Sequence, residues 1–199
     1  MQLMARYEDK HFDLAIVDPP YGLGKAVVNS GGRFKRYENK NGNWDNETPT
    51  KEYFNELFRV SKNQIIWGGN YFELPTNKCF IVWDKGQPEG ISFAMAEYAW
   101  ASFDKVAQIF KHRTQGQEQR FHPTQKPVKL YEWLLLNYAK EGNKILDTHG
   151  GSLSIALAVH NVNTQNKMNL TLDVCELDKD YYLAGKERLR KHQQQLTIF

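Results

Sequence analysis

Lys144-Ile145-Leu146-Asp147-Thr148-His149-Gly150-Gly151-Ser152-Leu153-Ser154-Ile155-Ala156-Leu157-Ala158-Val159-His160 reads as three parts in succession. Lys144 to Leu146 is a short apolar run of the kind that forms a buried strand, the glycine pair marks a turn, and Leu153 to His160 has the composition of a helix. A strand passing through a glycine turn into a helix is the repeating unit of an α/β domain, whose strands, joined through helices, pair in parallel. Glycine at such a turn lets backbone approach a ligand closely, and the helix start directs unpaired N–H groups toward it. The alternation continues outward. Pro127 to Ala139 predicts a helix, with proline at its start and Leu130, Tyr131, Leu134, Leu135 and Tyr138 on one side. Thr171 to Cys175 predicts a strand ending at Glu176, and Asp180 to Arg190 a closing helix.

The other half of the chain is consistent with this architecture. Phe12 to Val17 predicts a buried strand stopped by Asp18-Pro19-Pro20, residues that cannot continue a ladder. From Gly22 to about Glu47 glycine and asparagine abound without periodicity, which predicts a long mobile loop. A helix follows, with Thr48 as N-cap, Pro49 in its first turn and an end near Ser61. Gln64–Trp67, Phe80–Trp83, Ala96–Phe103 and Val106–Phe110 predict strands, being short and rich in β-branched and aromatic residues. The expectation is one α/β domain over residues 1–199, a mostly parallel sheet with helices on both faces.

Composition narrows the class. Hydrophobic residues make up 41% and charged residues 25%, which excludes a disordered chain and leaves no apolar run long enough for a membrane helix. The N-terminus lacks the pattern of a secretory signal, so the expected location is the cytoplasm. Cys79 and Cys175 lie in apolar runs and read as buried thiols, and His112 and His122 have no acidic or cysteine neighbours at ligand spacing, so no metal is expected. The net charge of +3 is small, but it is distributed unevenly. Lys25, Arg33, Lys35, Arg36 and Lys40 crowd one loop, and Lys105, Lys111, Arg113, Arg120 and Lys126 form a second cluster. Trp67, Trp83, Trp100 and Trp133 read as core, whereas Trp44, between Asn43 and Asp45, is open to packing or to contact with a partner.

Asp18-Pro19-Pro20-Tyr21 is the strongest chemical signal. An exocyclic amino group carries two N–H donors and a lone pair delocalised into its ring. A carboxylate and a proline-fixed carbonyl can accept both protons, freeing the lone pair for attack, while a tyrosine ring stacks on the base. A bound amine also compensates the burial of Asp18.

Four segments taken in order, VDPPYG (17–22), FHPTQKPVKL (121–130), ILDTHGGS (145–152) and VCELDKDYY (174–182), resemble the β-class amino-methyltransferases of DNA, in which the catalytic motif precedes the cofactor motifs. The resemblance runs from about Phe12 to Leu189 and implies a Rossmann-like, S-adenosylmethionine-dependent fold acting on N6 of adenine or N4 of cytosine in a flipped base. By that resemblance Asp18, Pro19, Pro20 and Tyr21 hold the base, and Asp18 also lies near the methionine end of the cofactor. His122, Thr124, Gln125 and Lys126 line the methionine moiety, Asp147, Gly150, Gly151 and Ser152 form the glycine turn, and Glu176 accepts from the ribose hydroxyls. Lys25, Arg33, Lys35, Arg36, Lys111, Arg113 and Arg120 are the candidates for DNA phosphates.

An acid at position 18 leans toward adenine, because the N4 enzymes of this resemblance often carry serine there. Neither cysteine follows a proline, as the nucleophile of a C5-cytosine enzyme would. The family's turn reads Asp-Pro-Phe-x-Gly-Ser-Gly, whereas Thr148, His149 and Leu153 stand here for the proline, the phenylalanine and the last glycine. His149 is then either a stacking ring or a polar loop residue, and the altered turn supports the rival reading, a non-catalytic nucleic-acid-binding partner. Only 17 residues precede Asp18, which predicts a trimmed N-terminal sheet edge. The span between Tyr21 and His122 leaves no room for a separate target-recognition domain, and a homodimer is one source of additional DNA surface.

Overall fold

Residues 1–23, 47–88, 90, 94–113, 121–122 and 124–195 are described by the structure, a computed structural model. The basic loop with Lys25, Arg33, Lys35, Arg36, Lys40 and Trp44, together with Arg120 and Pro123, lies outside the described residues.

The strands are β1 (Phe12–Val17), β2 (Ser61–Trp67), β3 (Phe80–Asp84), β4 (Ala96–Ala101), β5 (Gln108–Lys111), β6 (Lys144–Asp147) and β7 (Thr171–Val174). They form one seven-stranded sheet in the order β5-β3-β4-β2-β1-β6-β7. The helices are α1 (Lys51–Val60), α2 (Val128–Tyr138), α3 (Ser154–Asn166) and α4 (Lys179–Gln195). Every neighbouring pair is parallel except the two that β4 makes, with β2 and β3. The mostly parallel sheet expected from the sequence is therefore interrupted by one reversed strand. Among the described residues no helix lies between β3 and β4, and a connection without a crossover pairs strands antiparallel; the Lys85 N–H closes it on the Met95 carbonyl at 3.0 Å.

β1 reads as a continuous apolar run because both faces of the sheet are covered. Leu14 and Ile16 join Ile65, Trp67 and Ile81 in a core closed by Leu130 and Leu134 of α2 and by Ile155 and Val162 of α3. Ala15 and Val17 face the other way, into a core with Ile66, Leu146 and, from α1, Phe54, Leu57 and Val60. This two-sided burial is what expels polar groups to the strand ends.

The boundaries differ from expectation in several places. Thr50, not Thr48, is the N-cap of α1, and β4 ends at Ala101, with Val106 exposed in the connection that follows. Helices α3 and α4 run past His160 and Arg190. Part of the reason is a polar tie that needs both extensions: Asn161 donates to the buried Glu132 of α2 at 2.5 Å, and its side-chain carbonyl lies 2.6 Å from His192 Nε2 of α4. Cys79 is buried as expected, but Cys175, beyond the end of β7, is only half-buried.

Candidate active site

All strands but β4 point the same way, so β1, β2, β3, β5, β6 and β7 bring their carboxyl ends to one edge, where β4 begins. In an open α/β sheet that edge is where ligands bind. Asp18, Gly68, Lys85, Lys111, Thr148 and Glu176 follow or end those strands, and Glu97 stands at the start of β4.

Between β6 and α3 the backbone is held to the loop after β7. The Gly150 N–H donates to the Cys175 carbonyl at 2.7 Å and the Cys175 N–H to the Asp147 carbonyl at 2.9 Å. Glu176 folds under the turn, its Oε2 accepting from the Gly151 N–H at 2.6 Å and its Oε1 from the Asp178 N–H at 2.8 Å. Each oxygen keeps a second lone pair for another donor. Gly150 has no room for a side chain, since a Cβ would meet Val174 Cγ2 at 2.7 Å. Leu153 keeps the left-handed backbone (φ 55°) at the position where the resemblance has glycine. That conformation costs a non-glycine residue about 1–2 kcal/mol. Burying a leucine side chain contributes about 1.5–3 kcal/mol, which offsets the cost; Leu153 is buried and wedged against Gly185 of α4.

These elements enclose a cavity of about 280 Å³. Asp18 and Pro20 line it from β1, and His122, Thr124, Gln125 and Lys126 from the turn before α2. Gly150, Gly151, Ser152 and Glu176 line it from the β6 and β7 side. Ten of the residues singled out in the sequence thus meet in one place. Tyr131, Thr148, His149, Leu177, Asp178 and Tyr181 line it as well.

Three expected residues are placed elsewhere. Asp147 is buried beneath the turn, its Oδ1 accepting from the His149 N–H at 2.9 Å, and does not line the cavity. Pro19 and Tyr21 are not among the lining residues either. The Tyr21 ring stacks on Tyr71 with centroids 5.0 Å apart and planes 13° from parallel, and its hydroxyl donates to Asp18 Oδ1 at 2.6 Å. Gly68, with φ +69°, packs so closely on this ring that a Cβ there would overlap it. Of the expected DNA contacts, Lys111 ends β5 at the edge of the sheet, 3.6 Å from Asp84, and Arg113 follows it.

The other Asp18 oxygen, Oδ2, accepts from the buried ammonium of Lys126. Lys126 also lies 3.1 Å from Glu97, which pairs with Lys85 at 2.7 Å, and 5.2 Å over the ring of the fully buried Trp67. Burial opposes the charge on Lys126, but Asp18 and Glu97 outweigh it and raise its pKa above the ordinary lysine value. Burial likewise works against the Glu97 carboxylate, yet Lys126 and then Lys85 bring it down to about 2. Sequence reading missed Glu97, Lys85 and Tyr71. Only Glu97 carried a local signal, an acid in an otherwise apolar strand.

His149 sits in the turn between β6 and α3. It lines the cavity, its ring meets Tyr53 of α1 edge-on at 5.5 Å, and its Nδ1 lies 3.0 Å from Thr148 Oγ1, itself 2.7 Å from the Tyr53 hydroxyl. The two residues that replace proline and phenylalanine tie the turn to α1.

Burial lowers His149 from 6.5 to about 4, and burial followed by Lys126 does the same to His122. Asp147 moves oppositely, raised by burial to about 7 against the pull of the His149 N–H. A histidine with a depressed folded pKa stabilises the fold as pH rises from about 4 to 6.5; a carboxyl with a raised one weakens it from about 4 to 7. Two histidines oppose one aspartate, so the melting temperature should climb between about pH 4.5 and 6.5. In His149→Phe the one remaining histidine and Asp147 cancel and the climb should flatten, which thermal denaturation at stepped pH will show; an unchanged slope would contradict the assignment.

Three comparisons bear on this geometry. Residues 67–187 match the pattern of the N6_N4_Mtase family, described as "DNA methylase". The chain is 21% identical over 234 residues to the "Type II methyltransferase M.HpaI" of Haemophilus parainfluenzae, covering 95% of this chain and 71% of that protein. Among solved structures, the M1.HpyAVI-SAM complex superimposes with a TM-score of 0.59 at 19% identity, over 94% of this chain and 91% of that one. A PvuII DNA methyltransferase, cytosine-N4-specific, also gives 0.59, at 12% identity over 97% and 88%. A protein of Thermus thermophilus described as a "Putative DNA Modification Methylase" gives 0.56 at 18% identity, over 96% and 91%.

Proposed function

The chain belongs to the DNA methylase family of N6/N4 methyltransferases, and on that premise we propose that it methylates the exocyclic N6 of adenine in a flipped DNA base, with S-adenosylmethionine as donor. The observation that carries this reading is the Asp18 carboxylate after the end of β1, lining the cavity with Oδ1 fixed by Tyr21 and Oδ2 by Lys126. Asp18 accepts an N–H of the amine there, and the carbonyl of the Pro19–Pro20 segment accepts the second, which localises the lone pair for direct attack. No covalent link to the enzyme is required. The bound cofactor supplies a methyl group activated by its sulfonium.

The donor set suits that cofactor. Glu176 retains acceptor lone pairs for a ribose diol, and the side chain of Leu177, 93% exposed as a residue, offers an apolar flank beside it. Gly150 and Gly151 bring backbone to the cavity wall, which Asp18 and Glu176 also line. Thr148 and His149 preserve a pocket wall despite departing from the family pattern, which weighs against a non-catalytic partner. The relatives M1.HpyAVI and the Thermus protein were each solved with this cofactor. Duplex DNA is the partner, and Lys111 and Arg113, on the same edge as the cavity, are the described candidates for its phosphates.

N4 of cytosine is the second reading, because the fold superimposes equally well on a cytosine-N4-specific enzyme. Both amines present the same two N–H donors, and the aspartate at position 18 favours adenine. Transfer from labelled cofactor to mixed-sequence duplex DNA, followed by digestion to nucleosides and mass analysis, should yield N6-methyladenine. N4-methylcytosine would establish the second reading, and no label in either would remove both.

A further inference from the structure

The charge partners of Asp18 extend beyond the residues that the reaction itself calls for. Lys126 is buried between two carboxylates, and Lys85 holds the outer one, so Asp18, Lys126, Glu97 and Lys85 alternate in sign with no net charge. Lys126 reaches Asp18 from the turn before α2, whereas Glu97 and Lys85 come from the reversed strand β4 and the end of β3. We propose that Glu97 is a positioning residue for methyl transfer: by sharing Lys126 with Asp18 it leaves the Asp18 carboxylate able to accept the target amine and cancels the charge Lys126 would otherwise present to the donor's sulfonium. This rests on the function proposed above.

The argument is one of competition. Oδ2 of Asp18 is bonded to Lys126 and Oδ1 to the Tyr21 hydroxyl. An amine N–H arriving at this carboxylate competes with the ammonium for the same lone pairs, and the tighter the ammonium is held, the weaker an acceptor Asp18 becomes. Glu97, 3.1 Å from Lys126, gives the ammonium a second seat, so Asp18 can turn to substrate without leaving a buried cation unpaired. The second consequence follows from sign alone. The methyl donor is a cation, and without Glu97 the two ammoniums of Lys126 and Lys85 would face one carboxylate, Asp18, leaving a net positive charge beside the cavity that repels it. Lys85 acts against Glu97 on both counts, because it draws that carboxylate away from Lys126.

Two variants should therefore act in opposite directions. In Glu97→Gln, which keeps the side chain's shape, Lys126 closes on Asp18 alone. kcat should fall by about tenfold or more, the size expected for weakening a hydrogen bond to a charged group. Calorimetry should show binding of the sulfonium cofactor weakened at least about threefold relative to its neutral thioether product, S-adenosylhomocysteine. Glu97→Asp should restore most of both. In Lys85→Gln, Glu97 is free to take Lys126, so kcat should not fall and the preference for the sulfonium should hold or rise. A purely structural Glu97 would instead weaken both cofactor forms equally, and both variants would lose activity in step with melting temperature, which would overturn the inference. Parent protein that binds the cofactor but transfers no methyl would overturn the function, and this inference with it. An active parent with an unaltered Glu97→Gln variant would overturn the inference alone.

Discussion

Asp18→Asn should lower methyl transfer by about 10²–10³-fold, the cost of removing one preorganised group that acts on charge developing in the transition state. The substitution preserves volume, so the loss is chemical. An amide keeps one oxygen and puts an N–H donor pair in place of the other, so one of Lys126 and the Tyr21 hydroxyl, both donors to the native carboxylate, meets a donor instead of an acceptor. The variant therefore weakens the acceptor for the amine and breaks one of the two contacts that orient it. Lys126 keeps Glu97 as a partner at 3.1 Å, so the fold should survive with a loss of about 1–3 kcal/mol rather than the larger penalty of an unpaired buried charge. Steady-state kinetics alongside thermal denaturation will separate the two effects. Transfer within a few-fold of the parent would exclude Asp18 from the chemistry.

Gly68→Ala should have the next largest effect, although Gly68 does not line the cavity. Its backbone is left-handed, where alanine is disfavoured by about 1–2 kcal/mol. The added Cβ would overlap the Tyr21 ring, which is fixed on its own side by the stack on Tyr71 and the 2.6 Å bond to Asp18. The ring must leave, and Asp18 loses its orienting donor. Transfer should fall by about tenfold or more, with cofactor affinity less affected, since the turn after β6 is untouched. A double-mutant cycle isolates the cause: in a Tyr21→Ala background there is no ring to displace, so the same substitution should cost less stability and little further activity. Additive losses would show that the overlap is relieved in some other way.

Much of this was legible in the sequence, and the reasons are local. β1 is bounded as expected because proline can neither donate to a ladder nor extend it, and the cavity residues after β1, before α2 and after β6 fall together because strand direction is a property of the whole sheet. The partners of Asp18 were not legible in the same way. Glu97 reaches Lys126, and Lys85 reaches Glu97, only because β4 runs backwards and so begins where its neighbours end, and no periodicity announces that reversal. Tyr21 shows the opposite difficulty. Its motif points to a base-stacking ring, and in the structure that ring stacks on Tyr71, placed by a turn (Gly69–Tyr71) too short to leave a pattern. Asp147 was counted with the cavity because it begins the glycine turn, yet it works from beneath, through the backbone.

Leu153 bears on how the site comes apart. A glycine in a left-handed turn can relax there independently of its surroundings. Leu153 holds the same conformation only while its side chain stays wedged against Gly150 and Gly185, so releasing the turn uncovers apolar surface on α4. The rim of the cavity and the C-terminal helix therefore form one cooperative opening unit rather than a loose loop on a rigid body, and amides on both should acquire their protection together as the chain closes.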